Sequence, residues 1–528
     1  MKLTRLPWIA ISALALIAAV GGWLRYEIAT QDMLWLDELH TGWVVEAPTL
    51  TDIAARAADG NQTPVFFWIT YLLIQLPIQP ELSLRLGSLI AGIALNVSAP
   101  VWVWRWSGSR IGALLTATLI ASDLNFIYYS TEARPYALLE LLSIFQFGFF
   151  CRLLWPPCPE SSSKENAHPQ SNLGHQIPFA LISLVMIYTH LTSTWLLVAE
   201  AITLGICCFK NPRLVSQFRL WLPSATVICA GFLPFATVTR NIYSRRDNWE
   251  SFSSVPTLLT NHLPGLFVTI FTPLLLLFIY FIFKKQQPQI APRQRGQLSL
   301  ILLWAFVPFG CVILASLAGI APLAMHRYTL IGAVAIPIFA GYCAGCFHST
   351  LERITFFGLV ICGVIFTGNS IHPFAAVNTL PHFRSENWKT PIEKINAVKS
   401  EPDYPVFLFA NVIEDADASR VADLRFQKYL LFPLSWPYSL DRLYPTVSAG
   451  PTLEAPHFRL SQIQQAFQSK GCWVIVRGTK ELAERIGLEL ELDLKNEFGK
   501  NPKNSQPPVQ MRFYETPGSP VYLISVTW

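Results

Sequence analysis

The sequence predicts a mainly α, polytopic membrane protein of about eleven transmembrane helices with a small C-terminal extracytoplasmic α/β domain. Three observations carry this. Apolar residues make up 52% of the 528 residues and charged residues 14%. A usual charged share is about 25%, and so few charges could not cover a soluble protein of this length. The apolar residues also come in long runs: Ile177 to Phe209 holds only His190 and Glu200 as chargeable side chains, and about 18 or more apolar residues in a row read as a span. From about Ser370 the composition shifts to that of a water-soluble domain.

The predicted spans are 7–27, 83–104, 111–129, 135–155, 177–190, 191–209, 220–239, 263–283, 298–318, 328–347 and 353–369. Lys2 and Arg5 precede the first apolar stretch and no small-x-small cleavage site follows it. An uncleaved first helix with a cytoplasmic N-terminus is therefore expected. Alternate short loops then carry Arg105 and Arg110, Arg152 and Lys164, Lys210, Arg213 and Arg219, Lys284, Lys285, Arg293 and Arg295, and Arg353. Their bias places these loops in the cytoplasm. Thr63 to Ile78 is apolar but short, and a crossing there would invert everything downstream. It reads as a helix in the outer interface, within a long first external loop over 28–82.

The odd number of crossings puts the C-terminal region outside the cytoplasmic (inner) membrane. Two domains follow: a membrane domain over 1–370 and a soluble α/β domain over 371–528. In the latter, Pro405–Ala410, Cys472–Arg477, Met511–Tyr514 and Val521–Val526 read as strands, and Asp417–Leu431 and Thr479–Leu488 as helices. Cys472 stands alone there and can form no internal disulfide. Cys343 and Cys346 form a C-x-x-C inside an apolar run, which reads as helix packing. No cysteine–histidine spacing suggests zinc. The net charge of +5 shows no basic stripe, so membrane lipids and not nucleic acid are the expected partners.

Three polar constellations map to the outer face. Asp37 and Glu38, in Leu34-Trp-Leu-Asp-Glu-Leu-His-Thr41, are adjacent carboxylates among large apolar residues. Desolvation beside a membrane raises a carboxylate pKa and makes a competent general base, while the plainer reading is an acidic helix start. Glu132 and Arg134, in Tyr128-Tyr-Ser-Thr-Glu-Ala-Arg-Pro-Tyr136, sit at the outer end of two helices. Charges in hydrocarbon cost roughly 2.5–3.5 kcal/mol, so they must pair or face a cavity. An arginine there suits a phosphate through its planar fork, while the alternative is a structural ion pair. His190 and the run His326-Arg327-Tyr328 lie at predicted outer boundaries, where interfacial anchoring is the common use of such residues.

In these segments the chain resembles the GT-C superfamily of membrane glycosyltransferases. The likeness is to bacterial family 39 proteins related to protein O-mannosyltransferases and the lipid A aminoarabinose transferase. The carrying residues are Trp35-Leu-Asp-Glu38, Thr63-Pro-Val-Phe-Phe67, Glu81-Leu-Ser-Leu-Arg-Leu86, Ile127 to Tyr136, Tyr188-Thr-His190 and Arg327-Tyr328. The resemblance spans about residues 1–370. It implies a polyprenyl-phosphate sugar donor, a lipid, glycan or protein acceptor, and an inverting hexosyl or pentosyl transfer at the outer face. The family's acidic pair maps onto Asp37 and Glu38, the first as base. Glu132, Arg134, Tyr136, His190, Arg327 and Tyr328 map to substrate binding. Related enzymes differ on a divalent cation, and no ligand set is evident here. One departure is Thr63, where the family often has a first proline before Pro64.

A transporter or lipid flippase would also explain many spans with buried charges. It would not explain one long acidic external loop, and the hydropathy shows no inverted repeat. A non-catalytic assembly protein would use the α/β domain to bind partners and would be indifferent to replacement of Asp37.

Overall fold

The structure is a computed structural model. It describes residues 8–155, 173–210, 221–244, 254–284, 292–367, 370, 380–398, 404–412, 424–440, 446–448, 464, 466, 468–499 and 509–527. In chain order the first helices are α1 (Trp8–Gln31), α2 (Leu36–Val45), α3 (Leu50–Asp59), α4 (Val65–Leu73), α5 (Pro80–Ser107), α6 (Arg110–Ser122), α7 (Leu124–Ser130), α8 (Tyr136–Leu154), α9 (Leu173–Ile187) and α10 (Thr194–Lys210). The chain divides into two compact units. One comprises Met1–Ala29, Asn61–Thr70 and Arg85–Leu380, and the other Thr30–Gly60, Tyr71–Leu84 and Pro381–Trp528.

The first unit is a bundle of apolar helices. Among the described residues, six helices are long and apolar enough to cross a membrane: Trp8–Gln31, Pro80–Ser107, Tyr136–Leu154, Leu191–Phe209, Leu222–Asn241 and Gly296–Leu317. Shorter apolar helices cover Arg110–Ser122, Gly174–Ile187, Val268–Tyr280 and Leu330–Ala344. Helix α4 has 9 residues, a rise of roughly 14 Å against a hydrocarbon core of about 30 Å, and is too short to cross. Thr63, at its head, is buried, and the Val65 amide donates to the Tyr188 carbonyl (3.0 Å).

Lipid tails are as apolar as leucine, so close packing and not hydrophobicity holds such helices together. Gly112 of α6 and Gly341 face each other so closely that a Cβ on either would strike the other's carbonyl oxygen. Large aromatics fill the rest: Phe147 of α8 stacks on Trp304 (centroids 4.3 Å), and Trp304 Nε1 donates to the Ile331 carbonyl (2.7 Å). Arg25 is buried within α1 and gives Nη1 to the Gly21 carbonyl, Nη2 to the Ile120 carbonyl and Nε to Ser130 Oγ, at 2.8–2.9 Å. Every nitrogen of the guanidinium thus donates within the bundle.

Several predicted helices are interrupted in the structure, among them 220–239 by a 3-10 turn at Leu233–Phe235 and 263–283 by a π-helical stretch at Phe267–Phe271. The run 111–129 is broken at Asp123, whose backbone is extended. Its Oδ1 accepts from the Asn125 and Phe126 amides (2.9 and 3.1 Å). This side-chain cap ends α6 and starts α7, because it satisfies amides that an uninterrupted helix would have paired internally. The run 328–347 opens instead with a 3-10 turn at His326–Tyr328, followed by Leu330–Ala333 and Ala335–Ala344.

The second unit holds a mixed sheet of β1 (Val406–Phe409), β2 (Thr446–Ser448), β3 (Gly471–Arg477), β4 (Gln510–Tyr514) and β5 (Val521–Thr527), in the order β2-β1-β3-β5-β4. β1 runs parallel to β2 and β3, whereas β5 runs antiparallel to β3 and β4. Cys472 to Val476 is a continuous buried run, as a strand covered on both faces requires. The helix Lys480–Gly499 lays Ala483, Ile486, Leu490 and Leu494 on the sheet at helical spacing. Each such buried Ile or Leu contributes about 1.5–3 kcal/mol. This helix runs well past the predicted Leu488. The strand Thr446–Ser448 and the helix Lys389–Ala397 (9 residues) were not legible, being too short to show a period. Residues 417–423 of the predicted helix 417–431 lie outside the described residues, and Leu424–Leu430 is helical.

Candidate functional site

In the membrane-helix unit the turn between α7 and α8 presents Glu132 and Arg134, and α8 begins at Tyr136. Ser88 Oγ of α5 donates to the Arg134 carbonyl (2.9 Å) and fixes this turn. Around it the structure gathers Glu132, Arg134, Tyr136, His190, Arg327 and Tyr328 from three stretches of sequence. The Tyr136 ring meets His190 at 5.4 Å, His190 meets Tyr328 at 6.0 Å, and the Arg327 guanidinium lies over Tyr328 at 5.4 Å. The charges of Arg134 and Arg327 both reach His190, and those of Arg327, Arg134 and Glu132 all reach the Tyr136 hydroxyl. Glu132, Arg134 and His190 are buried.

The histidine is oriented from behind. His190 Nδ1 accepts from the Thr192 amide (3.3 Å) and lies 2.8 Å from Thr192 Oγ1. A neutral imidazole accepting at Nδ1 carries its hydrogen on Nε2, so that nitrogen is a donor. Two residues outside the predicted set join the cluster. Tyr129 packs on Tyr136 (5.1 Å) and stacks on His326 (5.7 Å), with its hydroxyl 3.1 Å from His326 Nδ1. Two guanidiniums, one buried and one half-buried, and an imidazole stand among aromatic walls beside the Glu132 carboxylate, chemistry that suits an anion.

The acidic pair belongs to the other unit, where it opens α2. The two carboxylates differ sharply. Glu38 is fully buried; its Oε2 accepts from the Trp35 amide (3.4 Å) and lies 3.7 Å from Arg384 Nε. Arg384 also reaches Asp32 through Nη1 (3.4 Å), and Asp32 accepts from the Phe383 amide (3.1 Å). Glu386 Oε2 caps α2 by accepting from the Leu36 amide (2.9 Å) and also binds Trp388 Nε1 (2.8 Å), while its Oε1 takes Arg477 Nε (2.8 Å). Asp37, one position earlier than Glu38 and a hundred degrees round the helix, is only half-buried. The short segment Phe383–Trp388 thus clamps the start of α2. Sequence reasoning missed Arg384, Glu386 and Asp32, since nothing local pairs them with Glu38. Among the described residues no three His, Cys, Asp or Glu side chains converge as metal ligands, and no step below uses a divalent cation.

No family model matches the chain, and no curated protein matches it by sequence. Solved structures do match it in fold. ArnT from Cupriavidus metallidurans bound to undecaprenyl phosphate is 13% identical, with 98% of this chain and 97% of that chain covered at a TM-score of 0.55. The apo state of the same protein gives 0.56, at 13% identity and 98% of both chains. The archaeal oligosaccharyltransferase AglB from Archaeoglobus fulgidus, in complex with an inhibitory peptide and a dolichol-phosphate, is 10% identical, covering 89% of this chain and 69% of that one at 0.51. Both proteins are of the GT-C superfamily, and this chain has their fold.

Proposed function

We propose that this GT-C-fold chain is a membrane glycosyltransferase that moves a sugar from a polyprenyl-phosphate donor to an acceptor hydroxyl on a lipid, glycan or protein. The observation that carries this reading is the cluster of buried Arg134 and His190 with half-buried Arg327 around Tyr136, set among apolar helices. A lipid phosphate needs such a place: cations for its headgroup and hydrocarbon for its tail. Matched solved structures carrying undecaprenyl phosphate and dolichol-phosphate support the same reading.

In the proposed reaction Asp37 removes the proton from the acceptor hydroxyl as a general base. The oxygen then attacks the anomeric carbon from the face opposite the phosphate, so configuration inverts. The bond between that carbon and the phosphate oxygen breaks, and its electron pair stays on the departing polyprenyl phosphate. Arg134, with Arg327 or the Nε2 hydrogen of His190, offsets the growing charge. Glu38 serves Asp37 indirectly, by anchoring the first turn of α2 to Arg384. The inner membrane with about eleven crossings, a cytoplasmic N-terminus and an outer C-terminal α/β domain over 371–528 completes the reading.

The test is binding of undecaprenyl phosphate to the purified protein in nanodiscs, with undecaprenol as the control that lacks only the phosphate. The phosphate form should bind at least tenfold more tightly, and a lipid-linked sugar should be consumed. Equal binding of the two lipids would sink the proposal.

A further inference from the structure

Beside the arginine cluster, and within the same helix unit, lies a cavity of about 90 Å³. Its polar lining includes Asp123, Asn125, Glu140, Thr269, His326 and Thr367. A water needs roughly 10–15 Å³ of such space, so several polar groups fit. Glu140 is the unusual member. It sits one turn into α8 from Tyr136, is 1% exposed, and neither carboxylate oxygen has a hydrogen-bond partner. Arg25 does not supply one, because its Nε, Nη1 and Nη2 all donate elsewhere. Its charge reaches Glu140 only through space, as does that of Asp123. A buried carboxylate with both oxygens unsatisfied is costly unless something in the cavity donates to it.

The cavity and the arginine cluster share an element. His326 lines the cavity while its Nδ1 contacts the hydroxyl of Tyr129, which packs on Tyr136. The two spaces have opposite chemistry. Carboxylates repel a phosphate and accept hydrogen bonds; guanidiniums do the reverse. A phosphate joined to a group rich in hydrogen-bond donors would therefore sort itself between them.

We propose that this cavity receives the sugar of the lipid-linked donor, with Glu140 and Asp123 accepting hydrogen bonds from its hydroxyl or ammonium groups. The inference rests on the reading of the arginine cluster as a lipid-phosphate site, and it adds the part that selects the sugar.

The experiment uses the full chain in nanodiscs and three probes: undecaprenyl phosphate, undecaprenyl phosphate bearing a neutral hexose, and the same lipid bearing an amino sugar. Wild-type protein should bind at least one sugar-bearing lipid about tenfold more tightly than the bare lipid phosphate. Glu140→Gln keeps the shape and removes the charge; it should erase that preference while bare lipid binding stays within twofold. Ala333→Leu, which fills the same cavity with apolar volume, should do likewise and guards against a folding defect in the first variant. A preference confined to the amino sugar identifies an ammonium donor, and one shared by both identifies hydroxyls; either supports the proposal. No preference for any sugar in the wild type, or a preference kept in both variants, overturns it. Failure of bare undecaprenyl phosphate to bind would instead overturn the phosphate site on which it rests.

Discussion

Glu38 and Arg384 meet as a buried ion pair at 3.7 Å, although one opens a helix near the N-terminus and the other lies just after the last apolar helix. Neither side chain is more than 1% exposed. The pair separates two neighbouring carboxylates that the sequence presents as equals: Glu38 is committed to holding α2, and Asp37 is the one with access to solvent.

Asp37→Asn should abolish transfer and leave thermal stability in detergent almost unchanged, because a half-buried side chain is replaced by its isostere. Turnover of a lipid-linked sugar checks this. Near-wild-type turnover would remove Asp37 from the role of base.

Arg384→Met should behave in the opposite way. It leaves Asp32 and Glu38 as buried carboxylates without their shared cation, a loss of about 3–5 kcal/mol for removal of one buried partner. A fall in melting temperature with the α2-bearing unit unfolding first, followed by limited proteolysis, is the expected outcome. Glu38→Gln should cost less, since Asp32 still neutralises Arg384.

Arg134→Lys distinguishes phosphate binding from helix tying. Lysine keeps the charge but loses the two parallel donors of the guanidinium. Donor affinity should drop about tenfold with the melting temperature held. A drop in stability matched by Glu132→Gln would show a structural pair instead.

Cys472 should resist alkylation. It is fully buried in β3, and burial pushes its thiol well above the ordinary range. At neutral or moderately alkaline pH it therefore stays protonated and enclosed. Mass spectrometry should find it modified only after the α/β sheet is denatured.

A cysteine at Gly108 should be labelled by impermeant reagents only from the cytoplasm, and one at exposed Glu484 only from outside. Labelling of Glu484→Cys from the cytoplasm would mean that α4 or a neighbouring segment crosses after all.

How much of this was legible follows from the range of each interaction. Hydrophobic runs are local, so the largely apolar, helical character of the chain, the short α4 and the strands Val406–Phe409, Gly471–Arg477 and Val521–Thr527 could be read directly. Asp123 shows the limit: an aspartate inside an apolar run does not by itself reveal that its carboxylate caps the next helix. Glu140 is likewise an acid inside a predicted span, 135–155, and its surroundings depend on a cavity no sequence displays.

The sequence by itself determined that the chain is largely apolar helix, that a small α/β sheet follows, and that acids and arginines stand near helix ends, because composition and periodicity are properties of neighbouring residues. Only the tertiary structure decided that Arg134, Arg327 and His190 converge on Tyr136, and that Arg384 claims Glu38 while Asp37 stays half-buried. Those relationships join residues far apart along the chain. Burial makes each charge choose a partner across space, and that choice is written in packing rather than in order.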